Sequence, residues 1–200
     1  MTLPHLFRHV FAATLGVLLL VGSTHAVRAE ETPLPNPQIL IVTNFGEITL
    51  RLFRDKAPVT VENFLRYVDD EFYDGTIFHR VIPNFMIQGG GMTPDMQEKP
   101  TGDPIPNESR NRLHNIRGSI AMARTSDPDS ATAQFFINQR SNLRLDWQPG
   151  GSGYAVFGEV IDGMNVVDFI ATAPTHQVAG HGNVPVDPVI IKSIRRKRLF

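Results

Sequence analysis

The 200-residue chain contains no cysteine. That excludes a disulfide framework, a cysteine-ligated zinc or iron–sulfur site and a thiol nucleophile. It also lacks an excess of charge. Nineteen Lys and Arg stand against twenty Asp and Glu, a formal net charge of -1, so the basic face that nucleic acid requires is not indicated. The usual catalytic signatures are missing too: there is no His-Glu-x-x-His helix and no Gly-x-x-x-x-Gly-Lys phosphate loop. Gly150-Gly151-Ser152-Gly153-Tyr154 fails the nucleophile-elbow pattern, because Tyr154 occupies a glycine position. Gly89-Gly90-Gly91 is not followed by the third glycine of a dinucleotide fingerprint. Asp127-Pro128-Asp129-Ser130 lacks the calcium-loop spacing. His176 and His181 lie in a Gly/Pro-rich loop at a spacing no metal motif uses. Neither a metal nor a cofactor is therefore expected.

What is present begins with an export-like leader. Arg8 precedes an apolar stretch, Val10–Gly22, of thirteen residues. As a helix it spans about 20 Å, short of the ~30 Å bilayer core, so it reads as a signal peptide rather than an anchor. Small residues place the cleavage after Ala29 or after Ala26. Residues 1–29 are assigned to the signal, 30–37 to a proline-rich linker and 38–200 to one domain. Loss of Arg8 and Arg28 leaves 17 basic against 20 acidic residues, a charge of -3. A soluble monomer without stable membrane insertion is expected after cleavage.

The rest of the chain is rich in short β runs. Gln38–Thr43 and Glu47–Phe53 flank Asn44-Phe45-Gly46, a hairpin signal. In the second run Ile48, Leu50 and Leu52 alternate with Glu47, Thr49 and Arg51, which predicts one buried and one wet face. Pro58 opens a helix whose Val61, Phe64, Leu65 and Val68 form one stripe. A second helix fits Gly163–Ala173, with Met164, Val167 and Ile170 inward. Further β runs fall at 76–82, 85–88, 119–123, 134–138, 154–161 and 189–195. Residues 89–115 make a long Gly/Pro loop, of the kind that is either functional or pinned by its surroundings. Many short strands with only two helices predict a mainly β fold, a closed antiparallel barrel.

One stretch mixes polar and apolar side chains unusually: Phe78-His79-Arg80-Val81-Ile82-Pro83-Asn84-Phe85-Met86-Ile87-Gln88-Gly89-Gly90. Strand alternation predicts Phe85 and Ile87 on one face, Met86 and Gln88 on the other. Downstream lie Ser119-Ile120-Ala121-Met122-Ala123-Arg124, Gln134-Phe135-Phe136-Ile137-Asn138, Leu145-Asp146 and Tyr154-Ala155-Val156-Phe157-Gly158. Together these runs resemble the cyclophilins, peptidyl-prolyl cis–trans isomerases, over about Gln38 to Arg196. The leader and the missing cysteine make the chain most similar to their exported bacterial branch.

The resemblance implies an eight-stranded barrel capped by two helices, with no cofactor. By position it makes Arg80 the catalytic arginine and Phe85, Met86 and Phe136 a proline pocket with Leu145 at its edge. Gln88 and Gln134 become polar groups around the substrate, and Ala123 and Arg124 the pair beside the bound peptide. Arg124 stands where the family usually has Asn, and Tyr154 where many members carry His. Arg144 replaces a Trp that underlies tight cyclosporin binding in the family, so weak inhibition is expected. The implied partners are proline-containing segments of exported proteins, in a periplasm, or outside the cell where no outer membrane exists. The alternative is a non-catalytic peptide-binding or chaperone module using the same groove. Arg195-Arg196-Lys197-Arg198 reads as a solvated basic end.

Overall fold

The computed structural model describes residues 36–197. The expected signal, most of the linker and Arg198 lie outside them.

The first two strands, β1 (Gln38–Thr43) and β2 (Gly46–Leu52), form the expected hairpin, with Thr43 paired to Gly46. The Thr43 hydroxyl donates to the Gly46 carbonyl (2.8 Å) and accepts from the Phe45 N–H (3.0 Å), which closes the turn. Ile39, Ile41, Ile48, Leu50 and Leu52 are fully buried. Glu47 and Arg51 are exposed as expected, but Thr49 is not. It sits between Leu40 of β1 and Asp162 of the next strand, beside a bulge, and the flanking strands cover it.

Helix α1 (Pro58–Asp69) starts on its proline and buries the predicted stripe. Its N-cap residue, Ala57, has no side chain to offer. The carboxylate of Glu108, in the long loop, does the capping: it accepts from the N–H groups of Val59 (3.1 Å) and Thr60 (2.7 Å) and from the Thr60 hydroxyl (2.6 Å). A carboxylate there satisfies orphan donors and faces the positive end of the helix dipole. The Tyr67 hydroxyl accepts from the Gly102 N–H (3.0 Å), and Ile105 bridges to Ala131. The 89–115 loop is thus pinned to the body of the fold.

The remaining strands of the main sheet are β3 (Arg80–Ile82), β4 (Met86–Gly89), β5 (Ser119–Met122), β6 (Phe135–Asn138), β7 (Val156–Asp162) and β10 (Ile191–Arg196). Helix α2 (Met164–Ala171) buries Val167 and Ile170, with Met164 half-buried. The eight strands run in the order β10-β1-β2-β7-β5-β6-β4-β3, and every neighbouring pair is antiparallel. The sheet curls around a core of Phe64, Tyr73, Phe78, Phe135 and Phe157, but it is an open half-barrel rather than the expected closed one. Its edge strands β3 and β10 share no ladder. The segment that would close the ring, residues 76–78, divides its hydrogen bonds between two neighbours. Phe78 N–H donates to Val189 and Ile191 N–H to Thr76, while Ile77 N–H turns to Met92.

Two further strands, β8 (Thr175–Val178) and β9 (His181–Pro185), form a separate ribbon where an irregular loop was expected. Ala179 and Gly180 both have positive φ, 49° and 83°, the geometry of a two-residue hairpin turn. Val184 then packs against Ile77, Met92 and Met96.

Two buried titratable groups stay neutral, Tyr73 and His79. The Tyr73 phenol, pushed up by burial, donates to the Ala133 carbonyl (2.9 Å). His79, just ahead of β3, is 5% exposed and its Nδ1 has no partner. Burial, with His181 and Arg80 nearby, lowers its pKa from 6.5 to about 4.

Two measurements test these assignments. Glu108→Ala should cost about 1–2 kcal/mol in urea unfolding at neutral pH; an unchanged midpoint would remove the carboxylate's capping role. The unfolded chain takes up a proton on His79 near pH 6.5, the native state only near 4. The stability this neutral histidine contributes is therefore complete above pH 6.5 and is lost as pH falls toward 4, on the order of 2–3 kcal/mol. His79→Gln should flatten the fall between pH 7 and pH 4 relative to wild type, and parallel profiles would contradict it.

Candidate active site

Cross-strand register assembles the site. Arg80 lies opposite Gln88, Gln88 opposite Phe136, Phe136 opposite Ala121 and Ala121 opposite Val156. These five residues make one rung across β3, β4, β6, β5 and β7. The next rung, Val81-Ile87-Ile137-Ile120, is fully buried on the other face. Because side chains alternate along a strand, burying one rung in the core turns its neighbour outward. The outward rung, with Met86, carries an apolar floor of Met86, Ala121, Phe136 and Val156.

Over this floor lies a cavity of about 120 Å³ lined by Arg80, Phe85, Met86, Gln88, Ala123, Arg124, Phe136, Leu145 and Tyr154. Nine of the ten site residues expected from the sequence thus line one pocket. The tenth, Gln134, lies beyond Gln88 and lines an adjoining groove with Glu98, His79 and the tip of the β8–β9 ribbon. A larger depression of about 770 Å³ runs along the outer side of α1, but it contains none of these residues.

Phe85 departs from the alternation predicted for it. The strand begins only at Met86, because Asn84 takes a left-handed φ of 57° and turns the chain. Phe85 therefore shares the pocket with Met86 instead of entering the core with Ile87.

Polar groups form a short relay. Arg80 Nη1 donates to Gln88 Oε1 (3.4 Å), Gln88 Nε2 to Gln134 Oε1 (3.1 Å), and Gln134 Nε2 to Glu98 Oε1 (3.3 Å). This orients Arg80 while leaving most of its donors unclaimed. A Cβ on Gly91 would come within 2.4 Å of the Gln134 side chain, so the third glycine of the run makes room for the relay.

The rim is held by Arg124 and Tyr154. Arg124 donates to the carbonyls of Thr125 (2.8 Å), Ser152 (2.9 Å) and Gly153 (3.2 Å). Its Cζ lies 4.4 Å from the centre of the Tyr154 ring, which meets Phe136 edge-on at 5.6 Å. Opposite, Arg144 lies over Phe85 at 5.0 Å.

Behind the pocket is a polar network that sequence reasoning missed. Asn138, fully buried, donates to Ser119 Oγ (2.9 Å) and Asn115 Oδ1 (3.2 Å). Asn142 donates to Asn138 Oδ1 (2.7 Å) and to the Phe85 carbonyl (2.9 Å). Asp146 accepts from the Asn115 backbone N–H (2.7 Å) and pairs with His114 (2.7 Å). Burial alone would raise the Asp146 pKa, but these bonds from Asn115 and His114 hold it below the usual carboxylate range. Every link fixes either the Phe85 turn or the Leu145 segment. Asn115 and Asn142 stand in polar loops and carry no periodic signal, so nothing in the sequence marked them.

Among the described residues no group of three or more His, Cys, Asp or Glu is placed to hold a metal ion. The arrangement joins an apolar pocket to one oriented guanidinium, with no nucleophile beside it. It suits binding a small apolar ring and stabilising a change in charge distribution next to that ring.

Comparison with known proteins agrees with this geometry. Residues 38–196 match the family model described as "Cyclophilin type peptidyl-prolyl cis-trans isomerase/CLD". A protein of Acinetobacter baylyi named peptidyl-prolyl cis-trans isomerase is 52% identical over 188 residues, 94% of this chain and 95% of its own length. Peptidyl-prolyl cis-trans isomerase B of Escherichia coli is 54% identical over 155 residues, 76% of this chain and 94% of its own. A crystal structure of a Cryptosporidium parvum cyclophilin type peptidyl-prolyl cis-trans isomerase, in the presence of the dipeptide Ala-Pro, superposes with a TM-score of 0.68. It is 29% identical, over 81% of this chain and 99% of that one. With its half-barrel, its pocket and a family match over most of its length, the chain belongs to the cyclophilin-type peptidyl-prolyl cis–trans isomerases.

Proposed function

We propose that the chain accelerates rotation about X–Pro peptide bonds, with Arg80 as the catalytic residue, and that it does so on exported proteins. The observation that carries this reading is the single rung that sets Arg80 beside an apolar pocket floored by Phe136 and Met86.

Rotation about the bond is opposed by amide resonance, a barrier of about 18–20 kcal/mol. No covalent bond is made or broken. At the twisted transition state the prolyl nitrogen regains its lone pair and becomes a hydrogen-bond acceptor. A guanidinium donor stabilises that state more than either planar one, which is differential transition-state binding. Arginine suits the task because it stays protonated at every working pH. The pocket holds the proline ring while the chain on the N-terminal side rotates, and its apolar floor favours the less polar twisted amide. Gln88 and Gln134 keep Arg80 in register and offer polar contacts to the peptide. Ala123 and Arg124 border the bound segment, and Leu145 and Tyr154 close the rim.

A periplasmic setting rests on the leader of residues 1–29, and on that reading the clients are unfolded or folding exported proteins. Weak inhibition by cyclosporin follows from Arg144, a flexible cation where a flat indole would otherwise pack.

The test is a protease-coupled or exchange-NMR assay of the purified mature protein on a proline peptide. Arg80→Ala should lower kcat/KM by about 10²–10³-fold, the usual loss for one transition-state donor, with unchanged folding. Arg80→Lys should recover part of it. Binding without rate enhancement in the wild type would instead establish the non-catalytic module, and full activity of Arg80→Ala would remove that residue from the mechanism.

A further inference from the structure

We infer that the mouth of the proline pocket selects peptides with an acidic residue beside the proline, and that Arg144 is a specificity-determining residue for this choice. The inference deepens the reading of the site as a peptide-binding pocket and rests on it.

Five of the nine described arginines away from the pocket face a carboxylate, whereas Arg66, Arg110, Arg112 and Arg140 do not. Arg51 faces Glu159, Arg117 faces Asp168 (2.6 Å), Arg195 faces Asp74 (2.6 Å) and Arg196 faces Asp69 (2.5 Å). Around the pocket three arginines gather without such a partner. Arg80, Arg124 and Arg144 have no carboxylate within 4.0 Å among the described residues. Arg80 spends one bond on the neutral Gln88, and Arg124 is held by backbone carbonyls, which fix its position without cancelling its charge. Arg144 is exposed and lies over the Phe85 ring at 5.0 Å. A guanidinium stacked on a ring keeps its edge N–H groups available, in the geometry that receives a carboxylate.

The nine pocket-lining residues include no acid. Asp146, two positions from Arg144, is already engaged by Asn115 and His114. Glu98 lies on the far side of Gln88 and Gln134. The cationic mouth is therefore local, in a chain whose net charge is -1. A side chain flanking a bound proline falls within the ~10 Å over which exposed charges act at ordinary salt. Local fields of this kind bias partner choice more than they raise total affinity.

The experiment uses three peptides, Gly-X-Pro-X-Gly, with X as Glu, Gln or Lys. Affinity is read by NMR titration at low and high salt, and isomerisation by exchange NMR. At low salt the Glu peptide should bind roughly three- to tenfold more tightly than the Lys peptide, with Gln between them. The gap should close at about 0.5 M salt, where screening is strong. Arg144→Gln should at least halve the Glu-to-Lys ratio at low salt. Equal affinities, a preference for Lys, or a ratio unchanged in Arg144→Gln would overturn the inference. Isomerisation of the Gln peptide reports separately on the catalytic reading. Rate enhancement without charge order would overturn selection alone, and charge order without rate enhancement would support selection in a binding module.

Discussion

Hydrogen-bond register across β3, β4, β6 and β5 sorts the centre of the sheet into two sets of side chains. One set, Val81, Ile87, Ile137 and Ile120, is fully buried and helps to anchor the core. The other, Arg80, Gln88, Phe136 and Ala121, faces outward and is the site. The two cannot be varied independently. A slip of one residue between β3 and β4 would send Arg80 toward the core and Val81 into the pocket. The hydrophobic drive that folds the sheet therefore also sets the geometry of the chemistry. An isolated buried guanidinium would be too costly to tolerate, which makes the correct register the only comfortable one.

The register alone does not complete the pocket, because Phe85 and Leu145 come from turns. Their positions depend on the asparagine network, in which Asn138 and Asn142 reach from the end of β6 to the Phe85 carbonyl while Asn115 and Asp146 hold the next segment. A buried network of this sort is favourable only when its members are satisfied, and the links from Ser119 to His114 leave few donors idle. Rigidity at the pocket wall thus comes from polar groups, and rigidity at the floor from apolar packing. Glu108 plays a similar part for α1, lending the long loop a purpose in stability beside the site.

Much of this was legible in the residues. Alternation in Ile48-Thr49-Leu50 marked β2, the proline start and the 3–4 spacing marked α1, and the Phe78–Gly90 run marked the site. What escaped was whatever depends on partners distant in sequence. Thr49 looked wet because strand alternation knows nothing of the two strands that flank it. Strand alternation set Phe85 on one face with Ile87 because one left-handed asparagine is invisible to a period of two. Closure of the barrel looked natural from strand number. It fails because residues 76–78 share their hydrogen bonds between residues 189–191 and Met92. The β8–β9 ribbon was hidden in a stretch rich in glycine and proline, where Ala-Gly supplied the turn without the usual asparagine.

That ribbon has a bearing on how the fold stays single. Strand β3 is three residues long and lies at the edge of the sheet, with β9 packed beside it. An uncovered edge is a template for any extended chain that drifts past. By standing beside β3, the ribbon crowds the edge where such a chain would add itself as a ninth strand. Extended chains are thereby kept off the backbone ladder, where capture would be hard to reverse.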